Sequence, residues 1–155
     1  MTPASPCVGD EFYMSLALEQ ARTAESLGEV PVGALIVHDG RVLAAAHNRT
    51  IASHDPGAHA EMLALRLAGS RLCNHRLPDA VMYATLEPCA MCYAAIVHAR
   101  LKRLVYAAAD PKSGVLGGAA DWSNLPFFNH RLELKGGVLA HEAGNILKSF
   151  FQGRR

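Results

Sequence analysis

Apolar residues recur along the chain at two kinds of spacing, which predict helices and strands in alternation. Near the start, helical spacing predicts a first helix that Asp10 caps and that ends at Leu27, where Gly28 suits the C-terminal cap. Two apolar runs, 30–37 and 42–46, follow as strands, and Asp39-Gly40 between them is a strong hairpin signal. The apolar positions of the first helix are Met14, Ala17, Leu18, Ala21 and Ala24.

The rest of the chain continues this alternation. A polar segment, 49–57, and a long segment rich in Gly, Pro and Asn, 110–129, are predicted loops. A loop as long as the second is usually functional in a compact domain. The remaining predicted elements are a buried helix 58–68 closed by Gly69, a strand 80–85, a buried helix 89–99, a strand 104–108, a short strand within 131–138 and an amphipathic helix 141–151 with Phe150 on its apolar face.

This order of elements predicts a mixed α/β sheet covered by helices on both faces. The chain has 155 residues, the length of one domain, and we expect 1–155 to form a single domain with flexible ends at 1–9 and 152–155. Half of the residues are apolar, which is typical of a globular domain large enough to fold without disulfides.

Charge and targeting signals narrow the function classes. The formal net charge of +1 argues against a protein that holds nucleic acid by general charge, although a local basic patch remains compatible with it. The first ten residues lack the pattern of a signal peptide, and no apolar run has the length of a membrane span. We therefore expect a cytoplasmic, reducing location with no membrane partner, where four cysteines are metal ligands or free thiols.

Two short motifs carry candidate chemistry, and each lies at the N-terminus of a predicted buried helix. The first is His59-Ala60-Glu61 and the second is the segment 88–92, Pro-Cys-Ala-Met-Cys. One imidazole and two thiolates form a ligand set that suits Zn²⁺. The first helical turn places both sulfurs of the C-x-x-C motif on one side, and the helix dipole favours thiolate there. The motifs therefore predict one zinc ion held by His59, Cys89 and Cys92.

Three protein ligands leave the fourth tetrahedral position to water, which is the arrangement of a catalytic zinc. Zinc lowers the pKa of bound water to about 7. Glu61, two residues from His59, is then placed to take the proton of that water and pass it to a substrate nitrogen.

Each part of this pattern has a simpler interpretation. The C-x-x-C motif alone fits a redox dithiol, His59 a capping or core histidine, and Glu61 an acid that favours a helix N-terminus. A structural four-ligand zinc would need Cys7 or Cys73, whose spacing does not favour it, and ordinary free thiols are the expected state of both. The combined pattern is far more specific than any of its parts.

With this combined pattern, the chain resembles the zinc-dependent nucleobase deaminases. Within that superfamily it resembles the bacterial tRNA-specific adenosine deaminases from about Glu11 to Arg155. In this order and spacing the shared stretches are specific. They are EVPVGA (29–34), HNR (47–49), HDP-x-AHAE (54–61), TLEPCAMC (85–92), D-x-K-x-G (110–114) and NHR (129–131).

The resemblance implies a fold, an assembly and a reaction. The fold would be a three-layer α/β/α cytidine deaminase-like fold with a central mixed five-stranded sheet, and the assembly a homodimer. The reaction would be hydrolytic deamination of adenosine to inosine at wobble position 34 of a tRNA, most often tRNA-Arg. Zinc hydroxide would attack C6 of a base flipped out of the anticodon stem-loop, with Glu61 as the proton shuttle.

The resemblance also assigns roles to residues. His59, Cys89 and Cys92 would hold the zinc. Asn48, which by itself would be a turn former, would hydrogen-bond the base or its sugar, and the Ala60 N–H would lie near the scissile carbon. The remaining substrate-binding residues would be Val30 and Pro31 as walls of the base pocket, with Asp110, Lys112, Asn129, His130, Phe151, Arg154 and Arg155 as RNA contacts.

Two departures and three alternatives accompany the resemblance. The family often has a basic residue where this chain has Ala109, and Pro111 stiffens the same loop, so both positions bear on RNA affinity.

One alternative is a deaminase of free bases or nucleosides, such as guanine or cytosine, which shares the same zinc chemistry. Another is a non-catalytic zinc RNA-binding subunit, which the presence of Glu61 disfavours. A structural zinc protein is disfavoured by the three-ligand count.

Overall fold

The computed structural model describes residues 9–154, so Cys7 and Arg155 lie outside the described residues. Helices and strands alternate as the sequence predicts. In chain order the elements are α1 (Asp10–Ser26), β1 (Gly33–His38), β2 (Arg41–His47), α2 (Ala60–Leu72), β3 (Val81–Leu86), α3 (Ala90–His98), β4 (Arg103–Ala108), β5 (Glu133–Lys135) and α4 (Ala140–Gln152).

The five strands form one mixed sheet in the order β2-β1-β3-β4-β5. Strand β1 is antiparallel to both β2 and β3, whereas β4 is parallel to β3 and to β5. Strands β2, β3 and β4 therefore run in the same direction, and their carboxyl ends meet at one edge of the sheet. The segment that precedes β1 lies at the same edge, so four chain segments converge there.

Helices cover both faces of the sheet, which confirms the predicted three-layer arrangement. Helices α1 and α4 pack on one face, and α2 and α3 pack on the other. Helix α1 lies very close to β1 at Gly33, where an added Cβ would stand 2.7 Å from the Ala21 nitrogen and would overlap the α1 backbone. On α4, Phe150 is buried, as predicted. In the described part of the chain, no helix combines the length and apolarity that a membrane crossing requires.

The hairpin has the predicted turn but a shorter first strand. Asp39 and Gly40 both have positive φ, 52° and 72°, the geometry of the two-residue turn that Asp-Gly favours. The strand begins at Gly33 because the chain turns just before it, where the Val32 N–H donates to the Val30 carbonyl at 2.8 Å. Pro31, between them, has no N–H to offer a neighbouring strand.

Helix α2 is longer and less buried than predicted. It continues through Gly69 to Leu72 and ends where Cys73 adopts the left-handed conformation, with the Asn74 N–H closing on the Gly69 carbonyl at 3.0 Å. A glycine inside a helix costs only about 1 kcal/mol, which surrounding packing offsets. Its buried residues lie on one face, and they are Ala60, Glu61, Ala64 and Ala68.

Asp10 does not cap α1, contrary to the prediction. Gly9 occupies the N-cap position, and Asp10 is the first helical residue. Its carboxylate is held instead by Arg103 at 2.6 Å, by the Tyr83 hydroxyl at 2.9 Å and by Lys135 at 3.2 Å. The hydrogen bond from Arg103 is the main cause that holds the pKa of Asp10 well below its usual value of 3.8. The contact joins α1 to strands β3, β4 and β5.

We predict that Asp10→Asn lowers the free energy of unfolding by about 2 kcal/mol at pH 7, the usual worth of a hydrogen-bonded charge. A lowered native pKa stabilises the fold fully above the ordinary Asp value and loses that effect as pH falls below it. The difference in the free energy of unfolding between the variant and the wild type should therefore become smaller below pH 3.8. Urea unfolding at pH 7 and pH 3 measures this, with Glu11→Gln, an exposed acid in the same helical turn, as the control. An equal gap at both pH values would contradict the assignment.

Candidate active site

The two motifs meet at the sheet edge where the strands end. His59 is the residue that immediately precedes α2, and Cys89 is the residue that immediately precedes α3. Both have extended backbones and no side-chain cap. Because both helices begin at the same edge of the sheet, their positive ends face the same region. This arrangement confirms that the two predicted helix N-termini converge.

The ligand atoms of His59, Cys89 and Cys92 lie together with the spacing of a tetrahedral site. All three lie within 4.8 Å of one another, and His59 Nδ1 is 3.6 Å from the Cys89 sulfur and 3.5 Å from the Cys92 sulfur. Two ligands bound to one zinc at 2.0–2.3 Å lie about 3.6 Å apart in tetrahedral geometry. The residues therefore fit a zinc ion. Among residues 9–154 this is the only such group of three or more His, Cys, Asp or Glu residues.

The three ligands share their protons unequally when no metal is bound. The hydrogen bond from Cys92, assisted by His59, lowers the pKa of Cys89 to about 4, so Cys89 is a thiolate at neutral pH. The same contact with Cys89, together with burial, raises the pKa of Cys92, which holds the proton of the pair. The Cys89 sulfur also raises the pKa of His59. A metal ion that binds here displaces these protons, because it requires thiolate and neutral imidazole.

Glu61 lies beside this group with an unused oxygen atom. The side chain is 4% exposed, and its Oε1 is the one buried side-chain polar atom among residues 9–154 without a hydrogen-bond partner. Burial raises the pKa of Glu61. Such a carboxylate in a cleft is typical of a group that exchanges protons with a bound reactant rather than one that supports the fold.

Asn48 follows β2 and faces the start of α2. Its Oδ1 accepts the Ala60 N–H at 2.8 Å, so its side-chain NH₂ is the group left to donate into the site. The contact joins the end of β2 to the first turn of α2 and fixes the Asn48 side chain. The predicted approach of the Ala60 N–H to a scissile carbon stays a prediction, because here that N–H is donated to Asn48.

A cavity of about 270 Å³ opens in front of Glu61, and the predicted base-pocket residues only partly line it. Val30 lines it as predicted. Pro31 is fully buried and does not, because the chain turns here and Val32 takes the place that Pro31 was expected to hold. The lining residues are Val30, Val32, Asn48, Thr50, His59, Glu61, Leu86, Glu87, Cys89, Asp110 and Ser113.

The predicted RNA contacts fall into separate places. Lys112 and Phe151 line a second cavity, of about 390 Å³, that shares Asp110 with the first. His130 lines neither cavity and donates from Nε2 to the Leu101 carbonyl at 2.6 Å. Asn129 is exposed on the long loop. The two cavities therefore bring together only part of the predicted set.

The C-terminal residues that the structure describes fold back onto the domain. The Arg154 guanidinium lies 3.7 Å from the centre of the Phe150 ring and donates to the Gly28 carbonyl at 3.2 Å. Phe151, by contrast, is exposed and free to contact a ligand.

Of the cysteines outside the metal group, Cys73 is an exposed free thiol at the end of α2.

Sequence reasoning missed two buried acids at this edge, Glu29 and Glu87. Both lie within stretches that carry the family resemblance, EVPVGA and TLEPCAMC, but neither has a metal-ligand spacing or a charged neighbour that would single it out. Their hydrogen-bond donors come mainly from the backbone of distant loops, which no side-chain pattern reveals.

Comparison with known proteins agrees with the fold and the site. The family described as MafB19-like deaminase matches residues 8–155, so the chain is a deaminase by class. A tRNA-specific adenosine deaminase from Haemophilus influenzae is 47% identical over 147 residues, which cover 94% of this chain and 85% of that protein. The chain belongs to the family of tRNA-specific adenosine deaminases and is an enzyme of that family.

Solved structures show the same relationship. One from a study of A-to-I editing by tRNA:A34 deaminases at the wobble position superimposes with a TM-score of 0.84 at 45% identity, covering 88% of this chain and 99% of that one. NE0047, in complex with 2,6-diaminopurine, superimposes with a TM-score of 0.81 at 27% identity, covering 92% and 81% of the two chains. The fold is therefore shared more widely than the sequence.

Proposed function

We propose that this enzyme converts adenosine to inosine by hydrolysis at wobble position 34 of a tRNA, with tRNA-Arg as its substrate. The observation that carries the proposal is the buried Glu61 Oε1, which has no partner and faces a cavity beside the His59, Cys89 and Cys92 ligand set. The similarity to tRNA-specific adenosine deaminases supports the choice of substrate.

The reaction needs an activated water and a group that carries protons, and different residues of the chain provide them. One zinc ion held by His59, Cys89 and Cys92 would supply an activated water for attack on C6 of adenine. Glu61 accepts one proton of that water and delivers it to N1 of the base. It then takes the second proton from the hydroxyl group now on C6 and passes it to the departing amino group. The sum is adenosine and water converted to inosine and ammonia.

The walls of the cavity orient the base for this transfer. The Asn48 NH₂, fixed by the contact between its Oδ1 and Ala60, donates to an acceptor on the base or sugar. Val30 and Val32 supply apolar surface from the segment before β1. Thr50, Asp110 and Ser113 from two loops help to line the cavity. A base must leave its stack to enter an enclosed site of this kind. A single-stranded anticodon loop has the lowest cost for that step.

Contacts with the rest of the RNA are proposed for the surface around the second cavity. Lys112 offers a cation and Phe151 an exposed ring, a combination that suits phosphates and stacked bases. Because the net charge is only +1, we expect the affinity to depend on salt less than that of a generally basic binder.

The proposal also includes a homodimer and a reducing, cytoplasmic location. An open groove of about 770 Å³ lies between α2 and α3, and half-buried apolar residues such as Met62 and Leu65 line it, which supports a second copy as partner. The free thiol of Cys73 supports a reducing compartment.

The alternative substrate class is a free base, because NE0047, a protein with the same fold, binds 2,6-diaminopurine. We predict that the enzyme forms inosine from an anticodon stem-loop with adenosine at position 34, and that free guanine, cytosine and cytidine remain unchanged. Chromatography of digested RNA and of the free bases measures both reactions in parallel. Turnover of a free base without inosine in the stem-loop would replace the tRNA proposal with the free-base one.

A further inference from the structure

Two carboxylates at the edge of the cavity are buried without a cation. Glu29 is 1% exposed and Glu87 is 2% exposed. The ion pairs found among residues 9–154 involve neither of them. Such charges are rare in a protein interior unless they are well hydrogen-bonded. The hydrogen-bond donors around each carboxylate therefore show which part of the chain it holds in place.

Glu87 holds the loop 110–118. Its Oε1 accepts the Asp110 N–H at 3.0 Å, and its Oε2 accepts the Leu116 N–H at 2.8 Å and the Gly118 N–H at 2.9 Å. The loop thus wraps around one carboxylate that stands just before the zinc-ligand motif. Three hydrogen bonds to a charged acceptor are worth roughly twice as much as three to a neutral one.

Two glycines allow the loop to approach this closely. A Cβ at Gly114 would overlap the Glu87 carboxylate, and a Cβ at Gly118 would stand 2.8 Å from Glu87 Oε1 and overlap the Asp110 carbonyl. The glycine of the D-x-K-x-G stretch is therefore explained by a buried acid that is distant in sequence.

Glu29 holds the opposite loop, 49–57, in the same manner. Its carboxylate accepts the Ile51 N–H at 3.0 Å, the Ala52 N–H at 2.8 Å and the Thr50 hydroxyl at 3.4 Å. Burial alone would raise the pKa of Glu29, but the bonds from Ala52 and Ile51 outweigh it and hold the pKa below its usual value. Both N–H donors belong to exposed residues, and Ile51 is 66% exposed.

Both loops supply walls of the cavity. Thr50 comes from the first loop, and Asp110 and Ser113 come from the second. We propose that Glu29 and Glu87 are positioning residues, charged anchors that hold loops 49–57 and 110–118 as preformed walls of the substrate cavity. The inference deepens the proposed function and rests on it for the identity of the substrate.

The two anchors allow a reciprocal test. Glutamine keeps the size of the side chain but turns an NH₂ group toward backbone N–H donors. In Glu87→Gln we expect amide hydrogen exchange to rise at least tenfold in 110–118 and to stay unchanged in 49–57, with the opposite result in Glu29→Gln. Each variant serves as the matched control of the other.

Steady-state kinetics separate positioning from a merely structural role. With the stem-loop as substrate, each variant should raise KM about tenfold, with kcat within twofold of wild type and with unchanged zinc content, because the anchors form their hydrogen bonds with the loops and not with the ligands or Glu61. A lower kcat with unchanged KM would overturn the positioning role.

The wild-type enzyme gives a readout that does not depend on how the variants fold. The Ile51 and Ala52 amides, although they belong to exposed residues, should exchange as slowly as those of Leu116 and Gly118. Fast exchange at these amides would overturn the inference. Because exchange needs no RNA, the anchor proposal can fail while inosine still forms, and it can hold even where the substrate proves to be a free base.

Discussion

Glu61→Gln should reduce inosine formation at least about 10³-fold while the protein stays folded and retains about one zinc per chain. The other two acids that line the cavity, Glu87 and Asp110, accept backbone N–H groups of the loop 110–118. The neighbouring ligand atoms would be committed to the metal, so Glu61 is the group left to move protons between water and the purine. An amide of the same size keeps the packing but cannot carry a proton.

The stability of this variant distinguishes a catalytic role from a structural one. Glu61 Oε1 has no hydrogen bond to lose, and burial disfavours its charge, so the Tm of Glu61→Gln should equal or exceed that of wild type. Active sites commonly hold groups that function requires and stability does not. Inosine yield, metal analysis and thermal unfolding measure the three properties together.

Glu142→Gln is the matched control for this experiment. Glu142 also lies in the first turn of a helix, but it is exposed on α4 and lines neither cavity at the site. We expect its activity, zinc content and Tm to match the wild type. Full activity in Glu61→Gln would refute the assignment of Glu61 as the proton carrier.

The sequence predicts Glu61 and the metal ligands because their chemistry is local. The H-A-E and P-C-x-x-C motifs place rare ligand types on first helical turns, and the turns themselves fix which side chains share a side. Convergence of the two turns needs only the topology of the sheet, in which β2, β3 and β4 end at one edge. Periodicity predicts the helices and strands and their alternation, whereas the strand order comes from the structure.

The element ends and the cavity wall depend on distant contacts. Gly69 is a reasonable helix stop by local rules, yet α2 runs past it to the left-handed Cys73. Val32 lines the cavity in place of Pro31 because the segment before β1 turns at Pro31, a detail that an apolar run does not encode. At each of these positions, tertiary structure overrides a local preference.

Buried acids are the hardest feature to predict. Glu29, Glu87 and the half-buried Asp10 are indistinguishable in sequence from acids on a solvated face. The structure gives Asp10 an ion pair across the sheet, and it gives Glu29 and Glu87 mainly backbone donors from loops more than 20 positions away. Because backbone N–H groups are present at nearly every residue, no pattern of side chains marks those that will meet a carboxylate.

Replacement of a metal ligand should remove zinc as well as activity, whereas replacement of Glu61 should remove activity alone. Cys92 is fully buried, and its sulfur lies 3.5 Å from His59 Nδ1, so serine there removes a sulfur that would bind the metal as a thiolate and that solvent does not replace. We expect Cys92→Ser to lose zinc to well below 0.1 per chain and inosine formation to fall below detection. Metal analysis after gel filtration and the stem-loop assay measure the two effects.

Thermal unfolding with added zinc or chelator completes this test. A ligand that binds only the folded state stabilises it by about 4 kcal/mol at a thousand times its Kd, so wild-type Tm should rise with zinc and fall with chelator. The Tm of Cys92→Ser should respond to neither. Cys73→Ser, which alters an exposed free thiol outside the group, should behave as wild type in all three measurements. Zinc loss in Cys73→Ser would restore the four-ligand structural site, and zinc retention in Cys92→Ser would remove Cys92 from the ligand set.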